Sequence, residues 1–344
     1  MISRIARHRE FVTLVGVVFL LIVVGLFNAS FVSPSNLARV LNSAVILFLL
    51  AAGEAPVIIT RNIDASIGAI LVLSGVLGAL ALRHGVAIPL VILIVAGSAA
   101  LMGVLNGVFV AYGHVPPIVA TLGTLAAFRG VSFLITGGFS IEDIPQNYTR
   151  FGSAQVIGVP LLVWVGLALA ALLGILMAKT QFGRHFYATG GNPEGARPIG
   201  IPVNRMVVTA YAISGLFAGL AALVFMAQFG SVSNQAGVGM ELQAIAAAVV
   251  GGVSLSGGVG TIFGAIIGAF FITSARSSLS FMGIPGFWSD TAIGVILLIA
   301  LFADAKVRHA LDVRRLEQRY ASSGEALSEV GSADVAFDKE EHAR

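Results

Sequence analysis

Long apolar runs separated by short polar punctuation organise this chain. Ten of them stand out, over residues 11–29, 40–59, 66–82, 88–111, 117–136, 156–178, 205–229, 240–254, 259–279 and 288–303. A helix of about 20 apolar residues crosses a bilayer core of about 30 Å, and most of these runs reach that length. The pattern predicts an all-α fold, a polytopic membrane helix bundle of about ten transmembrane helices. The eighth run is short and interrupted by glycine. It reads as a re-entrant or broken element, which membranes tolerate where protein or a cavity satisfies the backbone. The first run follows Arg4, Arg7 and Arg9 and is too long for the apolar core of a cleavable signal, so it reads as a retained first helix.

Composition agrees with the pattern. Of 344 residues, 57% are hydrophobic and 11% charged, with mean hydropathy +0.95, whereas soluble domains carry about 25% charged residues. Lipid must be the solvent for most of the surface. Charge placement adds orientation. If the N-terminus lies inside, 15 of the 20 Lys and Arg fall in cytoplasmic segments, which predicts both termini in the cytoplasm. Nine of the 17 acidic residues lie at or after Asp304. The chain therefore divides into a transmembrane domain, 1–303, and a cytoplasmic tail, 304–344. Within the tail, 306–320 reads as a basic amphipathic helix on the anionic leaflet and 321–344 as a disordered acidic end. The basic balance belongs to membrane loops and gives no reason to expect a nucleic acid. With no cysteine, disulfides, thiolate nucleophiles and cysteine metal sites are excluded.

Chemistry-bearing motifs are sparse. No G-x-x-x-x-G-K-[ST] phosphate loop is present, so ATP hydrolysis by that mechanism is absent from the chain. The histidines are scattered without H-E-x-x-H spacing, and neither a metal site nor a cofactor is expected. Glycine pairs four apart, Gly103 with Gly107 and Gly215 with Gly219, and the run Gly260, Gly264 and Gly268, predict close helix packing. In TRNIDASIG (60–68), Asp64 and Ser66 read as a helix N-cap or as a gating contact. Five ionisable groups fall at membrane depth: Glu54, Arg129, Glu241, Arg276 and Asp290. A charge there costs about 2.5–3.5 kcal/mol on insertion scales, so each must be paired, interfacial or functional. Glu54, beside Pro56, is the deepest. The polar loop 182–201 holds a short turn capped by Asn192 and bounded by glycines, as a docking element for a soluble partner would.

The stretches 60–68, 115–130, 182–201 and 239–269 together resemble the ribose-type class of ABC importer permeases, across about residues 40–305. Within that class, TRNID, FGRHFYATG, NPEGAR, IPGFWSD and the basic tail are most similar to permeases of autoinducer-2 importers, with rhamnose importer permeases next. The resemblance implies an inner-membrane permease subunit that is not itself an enzyme. It would work with a second permease subunit, identical or related, two cytoplasmic ATP-binding subunits and a periplasmic solute-binding protein. It places coupling to the ATPase on Asn192, Glu194, Ala196, Arg197 and Gly200. The chain departs from the class at Ala65, usually Leu or Val, at Pro198, which would shorten a helix in the coupling turn, and at Glu54 and Pro56. A neutral sugar-like solute suits a weakly charged pathway, for which Glu54, Asn106, Gln228 and Gln243 are the candidate lining residues. An ion-coupled secondary transporter with broken helices is the alternative, but it would want more buried carboxylates than Glu54 and Glu241.

Overall fold

A computed structural model describes residues 2–285 and 287–299, together with Phe302 and Lys306; for residues 2–9 it describes the backbone alone. The elements in chain order are α1 (Ile2–Phe27), α2 (Pro34–Ile59), α3 (Ile67–Arg83), α4 (Ile88–Ala111), α5 (Pro117–Thr136) and α6 (Gln146–Ser153). Strands β1 (Gln155–Val156) and β2 (Val159–Pro160) form a small antiparallel hairpin. Then come α7 (Leu161–Lys179), α8 (Gln181–Gly191), α9 (Pro193–Ala196), α10 (Val203–Phe229), α11 (Met240–Val250) and α12 (Ile262–Phe281). A last described helix, α13, covers Phe287–Ile299. Residues 298–344 form a separate unit, and the expected amphipathic helix and acidic tail lie outside the described residues except for Lys306.

Among the described residues, seven helices are long and apolar enough to cross a membrane: Glu10–Phe27 within α1, and α2, α4, α5, α7, α10 and α12. The apolar helices α3, α11 and α13 are shorter. The bundle is thus nearly all-helical and polytopic. The two-strand hairpin is a small departure from the all-α expectation, and it delays α7 to Leu161, with Pro160 at its N-cap, where the apolar pattern had begun a helix at 156.

Helix boundaries follow backbone chemistry. Proline opens α2, α5 and α9, where its missing N–H has no helical partner to lose. Gly137 and Gly230 close α5 and α10 in the left-handed conformation that glycine adopts without a Cβ penalty. At the centre stands α2. Every residue from Ala44 to Ile59 is buried, as an all-round apolar helix requires. Helices α10, α12, α11 and α7 pack around it, while Leu93, Leu101 and Leu134 on α4 and α5 face outward.

The most extensive helix pair is α4 with α10. The predicted glycine faces meet there. A Cβ on Gly107 would lie 2.6 Å from Val208 Cα, and one on Gly219 would lie 2.7 Å from the Ala99 methyl. Backbones this close supply the dispersion contact that lipid cannot replace with a hydrophobic drive. The third predicted run is corrected: Gly264 and Gly268 lie on α12 against Gly251 and Ala247, but Gly260 precedes the helix with φ +140°. A helical register cannot continue through that conformation.

Candidate functional site

The segment after α2 does not run away from the bundle. It folds back along α2, so that Asp64 N–H donates to Glu54 Oε1 at 3.0 Å, ten residues upstream. Helix α3 therefore starts beside Glu54, about 7 Å inside the end of α2 at 1.5 Å per residue, which accounts for its shorter length. Asp64 Oδ1 accepts from Ser66 N–H at 3.0 Å and from the Ser66 hydroxyl at 2.6 Å, and Oδ2 accepts from the Ser214 hydroxyl at 2.9 Å. The Asn106 amide donates to Ser66 Oγ at 2.7 Å, and the Tyr211 hydroxyl to the Ile63 carbonyl at 3.1 Å. Glu54, Asp64, Ser66, Asn106 and Ser214 are all completely buried.

Asp64 accepts a backbone N–H just ahead of α3, as a cap would, but Ser66, at the N-cap position, does not cap through its side chain. Asp64 turns inward and binds α10 through Ser214. Through Ser66, Asn106 and Ser214 it joins α2's returning loop, α4 and α10 into one polar knot, whose burial costs free energy that these hydrogen bonds offset in part, Glu54 Oε2 and Asn106 Oδ1 being left without a protein partner. Ser214 and Tyr211 escaped the sequence reading; their only signal was polarity within an otherwise apolar run.

A second arrangement surrounds α11. At 11 residues this helix is about 16 Å long, half a bilayer core, and it ends at Gly251, the glycine that interrupts the apolar run. It begins inside the bundle, where Gly237 and Gly68 meet backbone to backbone. Helices α3 and α11 thus start side by side at depth. Glu241, in the first turn of α11, pairs with Arg129 of α5 at 3.1 Å. Gln243, two residues on and therefore on another face, accepts from Arg276 of α12 at 2.8 Å. Arg276 also approaches Asp290 at 3.9 Å. Each charge flagged at membrane depth except Glu54 thus has an opposite charge beside it.

The four candidate pathway residues fall in three places. Glu54 and Asn106 belong to the closed knot. Gln228 donates to the Asn42 carbonyl at 2.8 Å, tying α10 to α2. Gln243 sits on α11. Gln243 adjoins the partly exposed Arg276, and Gln228 borders a surface pocket with Asp143, Thr149 and Ser153.

The 182–201 loop is more ordered than a turn. Helix α8 buries Gly183, Phe186, Thr189 and Gly190, a helical stripe facing the bundle. Asn192 caps α9, its Oδ1 accepting from Gly195 N–H at 3.0 Å. Helix α9 is four residues long, as Pro198 soon after it leads one to expect. Asn192, Glu194, Arg197 and Gly200 are exposed, whereas Ala196 is buried and supports the turn from its inner side. Tyr187 hydrogen bonds the Gly260 carbonyl at 2.9 Å; burial and the nearby Glu10 carboxylate push its hydroxyl up to about 12, so it remains a donor at neutral pH. Among the described residues no cluster of His, Cys, Asp and Glu could hold a metal.

The described residues thus form a multispan helical bundle against which the short helices α8 and α9 pack. Residues 36–301 match the family described as "Branched-chain amino acid transport system / permease component", and the chain belongs to this family of ABC-importer permeases, membrane components without catalysis of their own. It is 40% identical over 93% of its length, and 94% of the relative's, to "Autoinducer 2 import system permease protein LsrC" of Escherichia coli O157:H7. It is 41% identical, over 93% of its length and 92% of the relative's, to the protein of the same name from Salmonella typhi. No solved structure matches.

Proposed function

We propose that the chain is the permease of an autoinducer-2 importer in the bacterial inner membrane, with ten spans and both termini cytoplasmic. A second permease copy or relative completes the pore, two ATP-binding subunits dock on the cytoplasmic face, and a periplasmic binding protein delivers solute. The ordered α8–α9 element carries this reading. Its inner stripe is held by the bundle while Asn192, Glu194, Arg197 and Gly200 face outward in a compact capped turn. That is the form a lever needs if closure of soluble subunits is to move the spans as rigid bodies. The relatives' names favour autoinducer-2 over rhamnose or another monosaccharide. We place the solute path along α5 and α11, beside Arg129, Glu241 and Gln243, with Glu54 and Asn106 as scaffold.

Two measurements test the reading. The ligand of the partner binding protein identifies the solute; binding of rhamnose and not autoinducer-2 would transfer the assignment. In proteoliposomes holding the complete complex, Glu194→Ala with Arg197→Ala should leave ATP hydrolysis running and abolish uptake. Full uptake by that double variant, or uptake driven by a proton gradient without ATP, refutes the proposal.

A further inference from the structure

Three stretches distant in sequence meet at one end of α2 with almost no side chain between them. The Ile59 carbonyl, last of α2, accepts a hydrogen bond from Gly258 N–H at 2.8 Å. A Cβ on Gly190 would overlap that same carbonyl and lie 2.7 Å from Gly258 N. One on Gly258 would lie 2.7 Å from Gly191 Cα, and one on Gly257 would lie 2.9 Å from the Gly190 carbonyl oxygen. The end of α8, the end of α2 and the loop 251–261 are thus in backbone contact, with no compliant layer to absorb relative movement.

Two side chains bolt this junction. Arg61 Nη2 donates to the Gly191 carbonyl at 2.8 Å across 130 residues. Arg61 follows the C-cap of α2 with φ +67°, the left-handed turn of a helix end in which Arg61 and Asn62 N–H bond the Ile58 and Val57 carbonyls, at a cost for a non-glycine residue. Tyr187 ties α8 to Gly260, directly ahead of the α12 N-cap, where Thr261 accepts from Gly264 N–H at 2.9 Å and donates to Glu10 of α1. From the junction, one route leads through residues 60–63 to Asp64 and the polar knot; the other leads backward into α11 and forward into α12.

We propose that Arg61 and Tyr187 are the positioning residues of energy coupling in this permease: Arg61 fastens α8 to α2, Tyr187 fastens α8 to the α11–α12 loop, and movement of α8–α9 passes to both at the Ile59–Gly190–Gly258 junction. The inference rests on the reading of 182–201 as the docking element.

The test uses the complete complex in proteoliposomes, with ATP hydrolysis and autoinducer-2 uptake measured on the same samples, for Arg61→Gly, Arg61→Lys and Tyr187→Phe. Arg61→Gly removes the bolt and relieves the positive φ, so it should unfold no earlier than wild type. Uptake per ATP hydrolysed should nonetheless fall about tenfold, within the 5–150-fold range of coupling energies between sites. Tyr187→Phe should act in the same direction, and Arg61→Lys, which retains a donor, should recover most of the loss. Unchanged uptake per ATP in both Arg61→Gly and Tyr187→Phe, with the ATP-binding subunits still bound, overturns the proposal. Failure of those subunits to bind the wild-type chain through 182–201 would instead refute the docking reading, so the two failures are told apart.

Discussion

Replacing Gly103 by Ala isolates the energetic weight of the α4–α10 interface. A Cβ there would overlap the Tyr211 carbonyl oxygen, lie 2.9 Å from its carbon and 3.2 Å from Ala212 Cα. These are backbone atoms of a packed helix, so the helices must separate. Gly97 on the same helix is the control, because its Cβ would meet nothing within 4 Å. Each substitution gains about 0.5–1 kcal/mol of helix propensity, and that gain cancels in the difference between the two variants. What remains is overpacking, about 1–3 kcal/mol. Because Gly107 and Gly215 line the same seam, the upper part of that range is expected. The assay is thermal unfolding of the purified chain in detergent: Gly97→Ala at or above wild type, Gly103→Ala clearly below. Gly103→Ala with Gly215→Ala should cost less than the sum of the single changes, since helices already parted accept the second methyl more cheaply. Equal stability of Gly97→Ala and Gly103→Ala would refute the claim that backbone approach holds these helices together.

Two further outcomes follow from the polar groups. Asp64→Ala leaves the Ser66 N–H and the Ser66 and Ser214 hydroxyls without their carboxylate at full burial, and at about 1–3 kcal/mol per stranded group it should prevent recovery of a folded chain or greatly lower its unfolding temperature. Wild-type stability in that variant would show that the knot is not structural. Arg129→Ala and Glu241→Ala, measured singly and together, should reveal an interaction energy on the order of 1 kcal/mol, within the range for contacting pairs; strictly additive losses would mean that the pair contributes nothing as a pair.

Much of the fold was legible because the bilayer leaves few choices. In lipid a backbone must satisfy itself, so apolar runs become helices, and each of the ten runs corresponds to an apolar helix. Glycines four apart announced the α4–α10 seam, since only helices in near contact need two bare positions on one face. The exposed half of the α8–α9 turn was readable too, from Asn192 and the flanking glycines. The inward half of Asp64 was not legible, because an aspartate two residues ahead of a serine has the same local signature whether or not its second oxygen also reaches another helix. The choice is made by Ser214, 150 residues away.

Composition and pattern alone therefore determined that the chain lives in lipid and which segments are helical. The return of 60–66 along α2, the pairing of Arg129 with Glu241 and the meeting of Ile59, Gly190 and Gly258 came from packing. Propensity and periodicity act over a few residues. Partners more than a hundred positions apart are selected only when whole helices settle against one another, and the polar groups then bond whatever the packing has brought within reach.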